Sequence, residues 1–420
     1  MVAESWHRRL VRDFAARCKV VNTVGEELAP FSITKARGVV LQSQKYKKQI
    51  ATDLRKYVVA RRGQFAFDPM SLYYGAIGLV RAADIGLVSP DYVVFEADSS
   101  VDHDFLDYLL RSPEQVARYE SVAETGNQFG KRRRVYWSVF EELAFLLPPL
   151  AEQRKIAAIL SSVHDAIEAS RAVIDQLQVV KKAMMAELLT KGLPGSHKRF
   201  KQTEIGQVPE EWEVTPLGEL LEGIDGGWSP LCEAGPAGQD DWGVLKVSAA
   251  SWGEFRQDEN KRLPGALAPR PGLEVKAGDL IVSRANTPEL VGRSVLVRQT
   301  RPRLMLSDKL LRLRPRSQSA DPAYLNLVLS TPQARAQIED GATGTSRSMR
   351  NISQEKLRAV VVPAPPTSEQ REIAMIIDVC SERISEEGKC LVGLAQLKSA
   401  LMSVLLTGEV RVRVDEEAAA

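Results

Sequence analysis

Thirteen residues beginning at Pro148, PPLAEQRKIAAIL, return in near-copy at Pro365 as PPTSEQREIAMII, 217 positions later. One register holds from the proline doublets through Ile167 and Ile384, and on to Leu188-Leu189-Thr190 and Leu405-Leu406-Thr407. A period this long is too large for a stacked repeat unit and predicts duplication of half a protein. Weaker echoes extend it. YVVARRGQFAF around Gly63 answers LEVKAGDLIVS around Gly278, DYVVFE at Asp91 answers DKLLRL at Asp308, and FLDYLLRSP from Phe105 answers YLNLVLSTP from Tyr324. Trp6 and Trp212 open the two copies.

Both long segments read as helices built to pair. In the first, Ile156, Leu160, Val163, Ile167, Ile174, Leu177, Met184 and Leu188 recur in alternating steps of four and three, the heptad spacing of a coiled coil. The second carries Ile373, Ile377, Cys380, Ile384, Leu391, Leu394, Leu401 and Leu405 in the same frame. Even the polar interruptions agree, Ser170 with Glu387 and Lys181 with Lys398, and polar seam residues fix register. The proline doublets place the helix starts, Glu152 and Glu369 favour the positive ends of the dipoles, and Gly192 and Gly408 supply stops. Each helix then runs about 39 residues, roughly 58 Å. A chain that leaves one domain along the first helix and returns along the second requires them to be antiparallel. The expected fold class is α+β: two mixed α/β globular domains in pseudo-twofold arrangement, separated by two long antiparallel coiled-coil helices. Expected boundaries are 1–147 and 193–362 for the domains, 148–192 and 363–409 for the helices, and 410–420 for a tail.

At 420 residues and 44% apolar composition the chain can bury substantial cores, and its net charge of +2 gives no polybasic tail. Four cysteines without a CxxC pair suit a reducing compartment. The N-terminal MVAESWHRRLVRDF is too interrupted by charge for a signal peptide, and no apolar run reaches the roughly 20 residues that span a bilayer. A cytoplasmic location with no membrane partner is expected. Catalytic constellations are missing from the pattern. GNQFGKRR at Gly126 has three residues between its glycines and Arg132 where a phosphate loop needs Ser or Thr. His7, His103, His164 and His197 are scattered without metal-ligand spacing and read as surface histidines. PDYVVFEAD at Pro90 lacks the lysine of a nuclease site, and no Asn-Pro-Pro-aromatic methyltransferase motif occurs. The chain is expected to be non-catalytic and to hold neither metal nor cofactor.

What remains is a basic, glycine-bearing stretch before each long helix: GNQFGKRRRVYW with Lys131, Arg132, Arg133 and Arg134, and GATGTSRSMRN with Arg347 and Arg350. Glycine permits close backbone approach, while arginine engages phosphates and guanine edges. Lys45, Lys47 and Lys48 form a further basic run. These are the candidate DNA-binding residues.

The doubled Pro-Pro-x-x-Glu-Gln helix, together with TEIGQVPEEWEVTPLGEL from Thr203 opening the second domain, resembles the specificity subunit of type I restriction-modification systems, often called HsdS. The likeness spans the whole chain, although SWHRRL opens the first copy in place of a Pro-x-x-Trp segment. It implies that the domains are target recognition domains, each reading one half of a bipartite, asymmetric site in double-stranded DNA. The helices would set the spacer and dock two methyltransferase subunits. Restriction subunits can join such complexes; S-adenosylmethionine belongs to the methyltransferase and ATP with magnesium to the motor-nuclease. Half-sites one turn apart, near 34 Å, face one side of the duplex; deleting a heptad from both helices should shorten the spacer by up to about three base pairs. The alternative is a non-catalytic adaptor joining two protein-binding domains through a coiled coil.

Overall fold

The computed structural model describes residues 6–45, 53–125, 133–232, 234–346 and 349–413. Two compact units emerge, Met1–Ala172 with Gly388–Ala420, and Val173–Glu387. Both divisions fall inside the long helices, so each unit holds one end of each.

The first unit opens with β1 (His7–Leu10), β2 (Ala15–Cys18), β3 (Phe31–Thr34), β4 (Gly38–Leu41) and β5 (Val58–Arg61). Four strands follow: β6 (Phe65–Phe67), β7 (Ile77–Leu79), β8 (Ile85–Val88) and β9 (Val93–Ala97). Then come α1 (His103–Leu110), α2 (Pro113–Val122), β10 (Glu124–Thr125), β11 (Arg133–Arg134), α3 (Trp137–Phe140), β12 (Ala144–Leu147) and α4 (Leu150–Lys191). Strands β2, β9, β6 and β7 form an antiparallel sheet in that order. Phe65, Phe67 and Phe95 of this sheet are fully buried in one core with Phe105 of α1 and Phe140 of α3.

The second unit repeats the plan with β13 (Phe200–Thr203), β14 (Gly206–Pro209), β15 (Glu213–Pro216), β16 (Leu221–Gly226), β17 (Gly243–Leu245) and β18 (Asn260–Arg262). Next are β19 (Leu280–Ser283), β20 (Ala285–Asn286), β21 (Ser294–Leu296), β22 (Leu304–Met305) and β23 (Leu310–Pro315). It closes with α5 (Pro322–Leu329), α6 (Pro332–Gly341), β24 (Thr343–Ser346), β25 (Met349–Asn351), α7 (Gln354–Arg358), β26 (Val361–Ala364) and α8 (Thr367–Leu405). Its sheet, β16-β23-β19-β21, matches β2-β9-β6-β7 strand for strand. In both units the strand directly after the opening tryptophan pairs with the one feeding the long helix, β1 with β12 and β15 with β26. Where the units differ is around these sheets: the antiparallel pairs β3-β4 and β5-β8 in the first, a three-stranded β18-β17-β22 sheet in the second.

The repeated SP and TP dipeptides are helix starts. Ser112 and Thr331 cap α2 and α6 with their hydroxyls, and proline occupies the first turn of each, where its missing N–H costs nothing. Asp102 and Asp321 cap α1 and α5 in the same way.

The seam residues of α4 and α8 all lie in the buried or half-buried range. In the first unit Ile156 and Leu160 of α4 pack in one core with Leu401, Leu405 and Leu406 near the end of α8. In the second, Met184, Leu188 and Leu189 pack with Ile373 and Ile377 at the start of α8. Each helix start lies beside the other's end, so the pair is antiparallel. Gly192, just past α4, adopts φ +77°, where a Cβ would come within 2.5 Å of the His197 ring. An 18-residue window of α8 has a mean hydropathy of 1.2, enough by length and composition to cross a membrane. This qualifies the sequence-based reading of no spanning segment, but Lys389 and Lys398 interrupt the helix and Leu405 is buried in the first unit's core.

Candidate nucleic-acid interface

The Glu-Gln pair of the repeated motif anchors each unit to its helix. Gln153 is buried; its amide donates to the Pro148 carbonyl at 2.8 Å and its oxygen accepts the Asp102 N–H at 2.8 Å. Gln370 repeats this with Pro365 and Asp321 and adds a third bond to the Ser319 carbonyl at 2.9 Å. Glu152 and Glu369 do more than favour a helix dipole. Each buried carboxylate accepts the indole N–H of the tryptophan that opens its copy, Trp6 at 3.3 Å and Trp212 at 3.0 Å.

The cation that completes each clasp differs. In the first unit Arg411 grips both oxygens of Glu152, at 2.7 and 2.8 Å, the bidentate geometry that makes such pairs strong. In the second His197 Nε2 lies 2.8 Å from Glu369 and its Nδ1 lies 3.2 Å from Glu211. A neutral imidazole donates from one nitrogen only, so two facing carboxylates call for the imidazolium. Its side chain is 9% exposed, which corrects the surface reading made from sequence: no local pattern reveals carboxylates brought in from elsewhere in the chain. Burial alone would lower the His197 pKa, but Glu369 and Glu211 together raise it above the ordinary 6.5. Protonation therefore stabilises the fold fully below about pH 6.5, and that contribution fades as pH rises through the raised value. Glu211, with its own backbone hydrogen bond and His197 beside it, sits below its ordinary 4.5, so its contribution is lost only on acidification through that lowered value. Urea unfolding should accordingly show stability declining as pH rises past 6.5, and the decline should shrink in His197→Gln. An identical pH profile in the variant would remove His197 as its source.

Both basic stretches are hairpins at equivalent places. β10 pairs antiparallel with β11 directly after α2, and β24 with β25 directly after α6. Equivalent bonds tie each to a loop after a main-sheet strand, Val135 N–H to the Pro69 carbonyl at 3.0 Å and Ile352 N–H to the Arg284 carbonyl at 2.9 Å, and in the second unit β25 also pairs with β20. Lys47, Lys48, Lys131, Arg132 and Arg347 lie outside the described residues. Arg133 is exposed and pairs with Glu120 at 3.0 Å. Arg134 is half-buried, its guanidinium 3.6 Å from the Met70 sulfur. Arg350 donates to the Ala342 carbonyl at 2.8 Å, bracing its own hairpin. Lys45 is exposed at the end of a short turn of helix after β4.

Residues 28–179, which include the first hairpin and the start of α4, match the type I restriction modification DNA specificity domain. The chain is 37% identical over 205 residues to the EcoEI specificity subunit of Escherichia coli, a stretch covering 49% of this chain and 34% of that subunit. It is 28% identical over 336 residues to the MjaVIII specificity subunit of Methanocaldococcus jannaschii, covering 78% and 75% of the two. Its fold superposes on the crystal structure of the type I S subunit from M. genitalium with a TM-score of 0.58 over 96% of each chain, at 13% identity. The chain is similar to type I specificity subunits, though it spans only about a third of the EcoEI subunit's length in that match.

In this chain the two hairpins share a frame and differ in cargo. Counterparts related by strand register carry unlike side chains: Arg17 faces Phe95 across β2-β9 where Ile224 faces Leu313 across β16-β23. Arg17 and Tyr136 escaped the sequence reading because nothing local joins positions so far apart. Only the register of the sheet brings them to one edge.

Proposed function

We propose that this chain is the non-catalytic, sequence-specific DNA-binding subunit of a type I restriction-modification complex, with each unit reading one half of a bipartite site. The observation that carries the reading is the recurrence of a basic hairpin at the same station of two duplicated units, in a chain similar to type I specificity subunits. Unlike side chains on a common frame suit unlike half-sites.

Methyltransferase subunits are the expected protein partners. The long helices leave apolar side chains outside their seam, including Val173 and Val179 on α4 and Met375, Val379 and Val392 on α8, from 43% to 63% exposed, and such surface favours association. S-adenosylmethionine would bind the methyltransferase, ATP and magnesium any motor-nuclease subunit that joins, and the complex would work in the cytoplasm.

The test replaces Lys131, Arg132, Arg133, Arg134, Arg347 and Arg350 by alanine together. Duplex DNA affinity is expected to fall, and the slope of log K against log salt to flatten by up to about 5, at roughly 0.9 for each phosphate that is no longer neutralised. Unchanged affinity and slope in a folded variant would reject the interface. Absence of any salt-dependent duplex binding by the unsubstituted complex would favour the adaptor reading instead.

A further inference from the structure

At the foot of the β10-β11 hairpin the first unit carries an open cleft of about 440 Å³. Arg17 enters from β2, Asp91 from the turn before β9, Arg134 from the last position of the hairpin, and Tyr136 with Trp137 from the start of α3. Trp137 forms the floor, its ring packed 5.5 Å from Phe95 and 5.7 Å from Phe140. Tyr136 is 44% exposed between the fully buried Val135 and that floor. Neither Arg17 nor Asp91 makes an ion pair among the described residues. Two guanidinium groups, one carboxylate and an aromatic face thus meet with most of their polar capacity unspent, beside a segment already basic.

The equivalent station of the second unit has the same strand order and different side chains. Ile224 stands at the register of Arg17, and the neighbouring Asp225 is held by Arg312 at 3.0 Å and Arg314 at 3.2 Å. Asn351 and Ser353 follow the hairpin where the first unit has Arg134 and Tyr136, and the Ser353 hydroxyl is occupied in capping α7. A frame shared between duplicates with its side chains exchanged is what differing half-sites would require.

We propose that this cleft reads a G·C pair in the first half-site. A guanidinium from Arg134 or Arg17 would donate to O6 and N7 of guanine, and Asp91 would accept from the cytosine N4 amino group, the pairings that distinguish G·C in the major groove. Tyr136 would pack against the neighbouring base or sugar and hold the register. This rests on the DNA-specificity reading above and narrows it to named residues.

The experiment selects bound sequences from a randomised duplex library with the full chain assembled with its methyltransferase, using wild type, Arg17→Ala, Arg134→Ala and Tyr136→Ala. Thermal unfolding of each variant in parallel establishes that it is folded. Wild type should select a bipartite site with a fixed G·C position in one half. The arginine variants should relax that position roughly 10- to 100-fold and leave the other half-site untouched. Unaltered selection in folded arginine variants overturns the assignment, as does uniform weakening on all sequences with a shallower salt slope, which marks binding to phosphates alone. If Arg17→Ala and Arg134→Ala both unfold, Arg17→Lys and Arg134→Lys serve in their place, since lysine keeps the charge but not the bidentate fork, with relaxation at the same half-site expected and none overturning the assignment. Wild type that selects no sequence overturns the DNA reading itself, a result distinguishable from any behaviour of the variants.

Discussion

Replacing Gln370 by leucine is expected to destabilise the protein by about 3 kcal/mol, more than the same change at Gln153. Gln370 is fully buried and holds three backbone groups: the Asp321 N–H and the carbonyls of Ser319 and Pro365. Leucine fills much of the volume but leaves all three without a partner, and each buried orphan costs about 1 kcal/mol or more. Gln153 holds two such groups, the Asp102 N–H and the Pro148 carbonyl, so a loss of about 2 kcal/mol is expected there. Urea midpoints for the two variants provide the comparison. Equal losses, or losses well under about 1 kcal/mol, would mean that water or a backbone shift takes over these bonds.

Truncating Trp212 to alanine should cost about 3–5 kcal/mol, the range for a large buried aromatic. The indole is fully buried, stands edge-on to the His197 ring at 5.9 Å, and donates to Glu369 at 3.0 Å. Trp212→Phe separates packing from the hydrogen bond: it retains an aromatic ring but deprives the Glu369 carboxylate of a donor, with about 1.5–3 kcal/mol expected for a bond to a charged group. Trp6→Phe should cost less. Its bond to Glu152 is longer, 3.3 Å, and Arg411 still satisfies both carboxylate oxygens. Chemical denaturation of the alanine and phenylalanine variants at both positions reads this order directly. A Trp6→Phe loss equal to that of Trp212→Phe would show that the arginine does not compensate.

Much of the architecture is legible along the chain because it is written in local periodicity. Heptad spacing from Ile156 to Leu188 and from Ile373 to Leu405 marks two pairing helices wherever those residues end up. Proline doublets and the glycines at 192 and 408 bound them to within a few residues of α4 and α8. Duplication, being covalent, likewise announced that the two units share one plan, and the connectivity of two equal helices required them to be antiparallel.

The candidate site was legible only in outline. GNQFGKRRRVYW and GATGTSRSMRN stood out by charge, and their equivalent stations followed from the repeat. That Arg350 braces its own hairpin, or that Arg17 and Tyr136 share a cleft, depends on the register of β2 against β9 and on where α3 packs. A shift of one residue would turn each strand's side chains to the opposite face, and no run of neighbouring residues records that choice.

The clasps divide the matter most clearly. Sequence alone determined that Glu152 and Glu369 begin helices, since proline and acid at a first turn act through the backbone beside them. Only the tertiary structure decided that one carboxylate would meet Arg411 and the other His197, partners 259 and 172 positions away. Helix periodicity is a property of neighbours along the chain, whereas the pairing of buried charges is a property of packing, which brings together residues that share nothing in sequence but the cost of being buried alone.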